Sequence, residues 1–139
     1  MYGFLLQDWI TIRGTGTSGL VVVQSEANWV SLQPYQDIVF WLEVRECTLV
    51  PTGGTSVILD YETAPMRDES LFRPMVTGST LTAASASATP TITKVLLQQN
   101  PTIPLARWVR WKLTANGTAC AWDLTFRLSA AANAVGALG

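Results

Sequence analysis

The sequence predicts an antiparallel β-sandwich with a jelly-roll-like topology, which is an all-β fold. Short segments that alternate apolar and polar side chains recur along the chain, and turn-forming residues separate them at intervals of about ten residues. With 139 residues, the chain has the length of a single domain with one core. Its cysteines and tryptophans do not give the framework of an antibody domain, which favours a jelly roll over an immunoglobulin topology.

The clearest single element is a β-hairpin predicted over residues 107–128. Asn116-Gly117 is the dipeptide that most readily forms a two-residue type I′ turn. This turn predicts an apolar face with Leu113 opposite Cys120, Trp111 opposite Trp122, Val109 opposite Leu124 and Arg107 opposite Phe126. On the other face, the same register predicts Arg110 opposite Asp123 and Trp108 opposite Thr125.

Other strands follow from the same alternation. Residues 8–13 predict the first strand, and the glycine-rich residues 14–19 after them predict a flexible connection. Residues 38–47 and 56–63 alternate strongly on either side of Pro51-Thr52-Gly53-Gly54, so they predict a second hairpin. Weaker strand patterns occur at residues 20–23, 29–32, 71–75 and 91–98.

Composition also divides the chain. Pro74 indicates a strand end or a sheet edge, and the Ser, Thr and Ala of residues 78–90 predict a long surface loop. We expect an N-terminal arm and first strand at residues 1–19, the sandwich at 20–129, and a C-terminal tail of small residues at 130–139.

Charge and residue usage exclude several classes of function. The net charge is −1 and only 14% of the residues are charged, so no basic surface is expected to attract nucleic acid. The chain has no histidine, which removes the commonest general base and zinc ligand. The acidic pairs Asp60/Glu62 and Asp68/Glu69 lack the opposed geometry of a glycosidase. We therefore expect a protein that is not an enzyme and needs no metal or cofactor.

The cysteines and the N-terminal sequence bear on the compartment. Cys47 and Cys120 are too few for a disulfide scaffold, and buried free thiols are the favoured interpretation, with a bridge between them as the alternative. The start of the chain does not match a signal peptide, and no segment approaches a membrane-spanning length. We therefore expect a protein that is neither exported by a signal peptide nor anchored in a membrane.

Six tryptophans suggest an interaction surface. Trp111 and Trp122 belong to the predicted core, whereas Trp108 and Trp41 share faces with charged residues and are expected to be exposed. An exposed tryptophan on a charged strand fits an anchor at a subunit interface. Alternatively, Trp108 or Trp41 stacks on sugar rings in a carbohydrate-binding module for receptor binding or adhesion.

The termini and a few arginines complete the predicted interface. The mean hydropathy of +0.25 is high for a free monomer, and apolar termini are suited to burial between subunits. We expect removal of either terminus to weaken assembly while the sandwich stays folded. The residues expected at the interface are Met1, Tyr2, Phe4, Leu5, Leu6, Arg67, Arg73, Trp108, Arg110, Ala134, Val135 and Leu138.

Taken together, the apolar N-terminal arm, the small acidic β-sandwich without catalytic groups, the Ser/Thr/Ala-rich loop and the small-residue tail define an architecture. This architecture resembles that of the decoration (cement) and minor structural proteins of tailed bacteriophage capsids. The resemblance extends over the whole chain and includes no diagnostic motif. It implies a late virion protein that forms a homo-oligomer, often a trimer, and binds the major capsid protein of the head shell.

Overall fold

A computed structural model describes residues 2–16, 20–32, 35–50, 56–75, 79–81, 90–95, 106–116 and 120–134. These residues form ten β-strands and two short 3₁₀ helices. The strands are β1 (Tyr2–Gly16), β2 (Leu20–Val23), β3 (Val30–Ser31), β4 (Tyr35–Val50), β5 (Ser56–Ala64), β6 (Arg73–Pro74), β7 (Ser79–Leu81), β8 (Thr91–Val95), β9 (Trp108–Asn116) and β10 (Cys120–Ala134). The 3₁₀ helices are η1 (Glu26–Asn28) and η2 (Glu69–Leu71).

The strands form two antiparallel sheets that pack face to face, so the predicted all-β sandwich is confirmed. The first sheet has the order β1-β10-β4-β8. The second has the order β2-β9-β5-β6, with β3 also paired to β9 and β7 also paired to β5. As Pro74 predicts, the short strand β6 lies at a sheet edge.

The core lies between the sheets and contains large apolar side chains from both. Phe40 of β4 stacks on Tyr61 of β5, with ring centroids 3.9 Å apart and an interplanar angle of 6°. Trp111 of β9 meets Phe126 of β10 edge to face at 5.2 Å. Because each contact joins one sheet to the other, these aromatic pairs fix how the two sheets face each other.

The predicted hairpin over residues 107–128 is wrong, although most of its predicted apolar face is buried. Arg107, which was also placed on that face, is exposed. Strand β9 pairs with β2, β3 and β5 in the second sheet, whereas β10 pairs with β1 and β4 in the first. Trp111 and Trp122 are both buried, as predicted, but they line the core from opposite sheets. The turn at Gly117 lies outside the described residues. The apolar rows of β9 and β10 thus pack across the sandwich.

The second predicted hairpin is wrong for the same reason. β4 lies between β10 and β8 in the first sheet, and β5 lies beside β9 in the second. The alternation is again correct, since Ile38, Phe40 and Leu42 of β4 and Val57 and Leu59 of β5 are buried. Consecutive strands therefore cross from one sheet to the other at this point, as in Greek-key sandwiches.

Two segments expected to lack regular structure contribute strands. Gly14 to Gly16 continue β1, and buried Gly14 lies opposite Trp122 of β10. Within the predicted loop at residues 78–90, Ser79–Leu81 forms β7 and Leu81 is buried in the core, while residues 82–89 lie outside the described part of the chain. The loop prediction is thus corrected at its start.

Gln24 joins the two sheets at one edge of the sandwich. Its side chain is 1% exposed, and its Nε2 donates to the backbone oxygens of Leu6 (2.9 Å) and Asn28 (3.0 Å). Its backbone N–H donates to the Trp111 carbonyl (3.1 Å), while its Oε1 accepts from the Trp111 N–H (3.3 Å). β2 pairs with residues 112–115 of β9 and β3 with residues 108 and 109. Gln24 therefore fills the gap between them with hydrogen bonds in place of a strand.

Cys47 is a buried free thiol and faces Leu124 in the β4–β10 register. Burial raises the pKa of this thiol above its ordinary value. The disulfide alternative is therefore not realised at Cys47.

Candidate interaction surfaces

The predicted N-terminal arm divides between the core and the surface. From Tyr2 onward it belongs to β1 and pairs with β10. Leu6 is buried and Phe4 packs against the core, whereas Tyr2 and Leu5 are 58% and 49% exposed. Met1 lies outside the described residues. Of the described side chains up to Leu6, Tyr2 and Leu5 are therefore the most exposed.

The predicted C-terminal tail begins inside the first sheet. Ala130, Ala131 and Ala132 are buried in β10, between β1 and β4. Ala134 ends β10 opposite Tyr35. The predicted interface residues Val135 and Leu138 lie outside the described part of the chain.

Trp108 lies on the outer face of the second sheet, where it is half-buried. It packs against a second apolar cluster made of Trp29, Ala64 and Phe72. The guanidinium group of Arg67 is 5.5 Å from the Trp108 ring centroid. The indole is thus partly covered by its own chain, which leaves only part of its surface for a partner or a sugar.

Arg110 is buried beside Trp108, contrary to the expected pairing with Asp123. Its Nε donates to Glu62 Oε1 at 2.9 Å, and the two side chains are 6% and 5% exposed. The guanidinium lies 4.2 Å from the ring centroid of Phe72 and 5.1 Å from that of Trp29. Asp123 pairs instead with Arg13 on the other sheet, at 3.4 Å. Because β9 borders β5, the charge of Arg110 is matched across that pair of strands.

One further positive group and one further negative group lie near this buried pair. Lys112 Nζ is 3.9 Å from Glu62 Oε2, and Glu69 Oε1 is 3.9 Å from Arg110. Two positive and two negative groups thus neutralise one another in an aromatic setting. Such an arrangement holds η2 and β5 against β9.

Arg67 and Arg73 bind backbone carbonyls of their own chain. Arg67 donates to the carbonyl of Glu26 at 2.8 Å and lies 3.8 Å from the Glu26 carboxylate. Arg73 donates to the carbonyls of Ser70 (3.0 Å) and Phe72 (2.7 Å). Both guanidinium groups therefore have partners within the subunit, and a role between subunits stays a prediction.

The outer face of the first sheet carries a row of side chains across all four strands, and three of the four are apolar. Leu5 of β1 pairs with Ser129 of β10, which pairs with Trp41 of β4, which pairs with Ile92 of β8. Leu5 and Ile92, at the two ends, are 49% and 50% exposed, while Trp41 is half-buried. We call these four residues the outer row. Trp41 lies on the outer face, as the sequence predicts, but it is half-buried where exposure was expected.

A second feature of this face was not found from the sequence. Arg45 and Arg127 both lie over the Trp9 ring, 4.0 and 4.9 Å from its centroid. Arg127 also binds Glu43 through both carboxylate oxygens at 2.8 Å, and this hydrogen bonding raises the pKa of Arg127. The mixed charges of residues 43–46 were a signal for such a cluster. The cluster could not be predicted because Trp9 lies two strands away from β4 in the sheet.

The acidic pairs have structural roles. Glu62 binds Arg110, and Asp68 caps η2 by accepting hydrogen bonds from the backbone N–H (3.0 Å) and hydroxyl (2.8 Å) of Ser70. These bonds lower the pKa of Asp68. Within the described ranges, no group of three or more Cys, Asp or Glu side chains could hold a metal ion. No helix formed by the described residues has the length and apolar character needed to cross a membrane.

Comparison with known proteins yields a structural likeness only. No family model and no curated protein matches the chain. Structures of infectious bursal disease virus, Gx and Gt strains, match 99% of this chain at 10% identity, with TM-scores of 0.56 and 0.58. The crystal structure of the VP2 subviral particle of that virus matches 98% at 12% identity, with a TM-score of 0.55.

The chain spans about one third of the length of these neighbours, namely 32%, 32% and 33% of their chains. At such low identity, the likeness establishes the fold. This β-sandwich is similar to part of the structure of viral capsid proteins.

Proposed function

We propose that the chain is a non-enzymatic structural protein of a virus particle. The observation that carries this proposal is the match of nearly the whole sandwich to VP2 in a subviral particle. Fold alone does not specify function, so the surface of this chain must supply the remaining support.

The described surfaces are better suited to broad contact with another protein than to binding a small ligand through a few polar groups. Exposed apolar side chains lie at the start of β1 and at both ends of the outer row, as shown by Tyr2, Leu5 and Ile92. Several charged groups of the outer faces are matched in ion pairs within the chain, such as Arg127 with Glu43 and Arg110 with Glu62. A neutral, partly apolar sheet face suits contact with other protein subunits.

In its finer form, the proposal is that the protein decorates or cements a bacteriophage head. Its partners would then be subunits of the major capsid protein, and its location would be the virion. The outer row and the exposed residues Tyr2 and Leu5 are the contact elements that we assign to this role.

Quantitative mass spectrometry of gradient-purified particles tests the proposal. The particles come from the virus that encodes this chain, and the amount of the chain is measured relative to the most abundant shell protein. A fixed ratio that persists through repeated gradients is expected. Absence from the particles refutes a structural role in the virion. To test the decoration role, the gene is deleted: particles should still assemble but break at a lower temperature.

A carbohydrate-binding role is the second candidate, and the position of Trp41 favours it. Trp41 lies on the outer face of the first sheet and is half-buried, so part of its indole faces solvent. A Trp41→Ala variant should lose glycan binding, while a Trp108→Phe variant should keep it. Glycan arrays with no signal for the wild-type chain would rule this role out.

A further inference from the structure

Part of β1 presents a long, regular and open strand edge. β1 forms one edge of the first sheet, and β10 is its one neighbour among the described strands. From Ile10 to Gly16 the register with β10 is unbroken, running from Phe126 back to Cys120. In an antiparallel strand, alternate residues turn their N–H and C=O groups away from the neighbour. This stretch therefore offers a row of backbone donors and acceptors to another strand.

The other described edges are short, protected or interrupted. Residues 43–50 of β4 extend past the described pairing with β8, but a register shift between Val44 and Glu46 interrupts them. β8 has five residues and carries Lys94, β6 has two and contains Pro74, and β2, β3 and β7 have four, two and three residues. Short edges, lysine and proline are the devices by which proteins prevent edge pairing. In β1 itself, register shifts interrupt the stretch from Leu5 to Ile10, and Gln24 occupies the carbonyl of Leu6. Residues 10–16 are thus the longest regular open edge that the described strands present.

We propose that this edge pairs with the same edge of a second copy of the chain, antiparallel and about a two-fold axis. A seven-residue edge needs a partner strand of similar length, and each copy offers one such edge in its described part. Two-fold pairing uses the same surface on both copies and closes on itself, so no second site is required. The two first sheets join into a continuous eight-stranded sheet. This inference does not depend on the proposed function.

Charge disfavours one register of the pairing. A pairing centred on Arg13 places two arginines directly opposite each other, which is unfavourable. We therefore place the centre at Ile12, which puts Thr11 opposite Arg13 of the second copy and Ile10 opposite Gly14, and which pairs five residues of the regular edge, Ile10 to Gly14. Thr11 and Arg13 are both exposed on the outer face, so this register leaves the core side chains in place.

Sedimentation velocity on the full chain measures dimer formation and tests the pairing with variants that place a positive or a negative charge at residue 11. Wild-type protein is expected to be a dimer in equilibrium with monomer. Thr11→Lys puts two like-charge pairs into the interface and should weaken the dimer at least about tenfold. Thr11→Asp, which faces Arg13 with the opposite charge, should keep it. Thr48→Lys makes the same charge change at an exposed threonine on the central strand β4 and should leave the dimer unchanged.

Cysteine cross-linking tests the register. In a background with alanine in place of Cys47 and Cys120, a mixture of Thr11→Cys and Arg13→Cys chains should form disulfide-linked dimers faster than either variant alone. Directly opposed residues lie within the Cα separation that a disulfide spans. Three outcomes overturn the proposal: a wild-type chain that is monomeric at every concentration, one that is trimeric, or a Thr11→Lys variant that dimerises as tightly as Thr48→Lys.

Discussion

Replacing Gly14 with alanine tests the contact between β1 and the Trp122 indole. Gly14 is buried opposite Trp122, and an added Cβ would overlap the Cε2, Nε1 and Cζ2 atoms of the ring. Carbon atoms in contact are about 3.5 to 4.0 Å apart. Trp122 is itself buried in the core cluster, so turning the ring would displace its neighbours. Either the indole or the strand must move.

The size of the effect follows from two opposing contributions. Overpacking a core commonly costs about 1 to 3 kcal/mol, and an overlap with a rigid ring belongs at the upper end of that range. Alanine also restricts the unfolded chain, which returns about 0.4 to 1 kcal/mol. We expect a net loss of about 2 kcal/mol in the free energy of unfolding. Differential scanning calorimetry should then show a melting temperature about 6 to 10 °C lower than that of the wild type.

Gly3→Ala is the matched control, because it makes the same change in the same strand. The nearest atom to its added Cβ is the Ala130 carbonyl oxygen at 3.9 Å, an ordinary contact. Its stability should stay within about 0.5 kcal/mol of the wild type. Trp122→Val should make room for the methyl group, so Gly14→Ala should destabilise that variant much less than the wild type. A Gly14→Ala variant as stable as Gly3→Ala would refute the reasoning.

Three further predictions concern buried polar groups. Glu62→Gln removes the charge that pairs with buried Arg110 and should lower the free energy of unfolding in urea by about 3 kcal/mol. Arg13→Met, in an exposed pair, should change it by less than about 1 kcal/mol. Equal effects of the two variants would contradict the burial argument. Gln24→Leu leaves the Leu6 carbonyl and the Trp111 N–H without their side-chain partner. It should therefore lower the free energy of unfolding by about 3 kcal/mol with an unchanged m-value. A loss below about 1 kcal/mol would mean that neither group depends on Gln24. In a Cys120→Ala background, Cys47 should react with a thiol reagent at neutral pH only after unfolding, because burial both shields the thiol and raises its pKa; rapid labelling of the folded chain would show that it is accessible.

Alternation in the sequence predicts which side chains point inward, and in this fold it does so reliably. Val109, Trp111 and Leu113 are all buried, as are Leu124 and Phe126. What alternation does not encode is whether two apolar rows lie side by side in one sheet or face each other across the core. Both arrangements bury the same residues. The pairing of β9 with β5 and of β10 with β4 depends on long-range contacts that a turn signal at Asn116-Gly117 does not determine.

The candidate surfaces were harder to predict than the core. Arg110 points to the outer face, as expected, yet it is buried because η1, η2 and β6 bring Trp29 and Phe72 over it. A charged residue on the outer face of a strand is expected to be solvated unless another segment is known to cover it. No local sequence pattern predicts the segment that covers Arg110. The outer position of Trp41 could be predicted because its own strand carries charges on the same face. The contacts of Trp9 could not, because Arg45 and Arg127 come from two other strands.

The start of β1 and the end of β10 pair with each other within one chain. Tyr2, Gly3 and Phe4 lie opposite Ala132, Ala131 and Ala130, so the start of β1 and the end of β10 hold each other in the first sheet. This pairing involves no second subunit. Deleting residues 130–139 would also remove the buried alanines that separate β1 from β4, and it would therefore test folding before it tested assembly. Point changes at exposed positions, such as Leu5 or Thr11, separate the two questions, because they alter the surface while the sheet beneath stays paired.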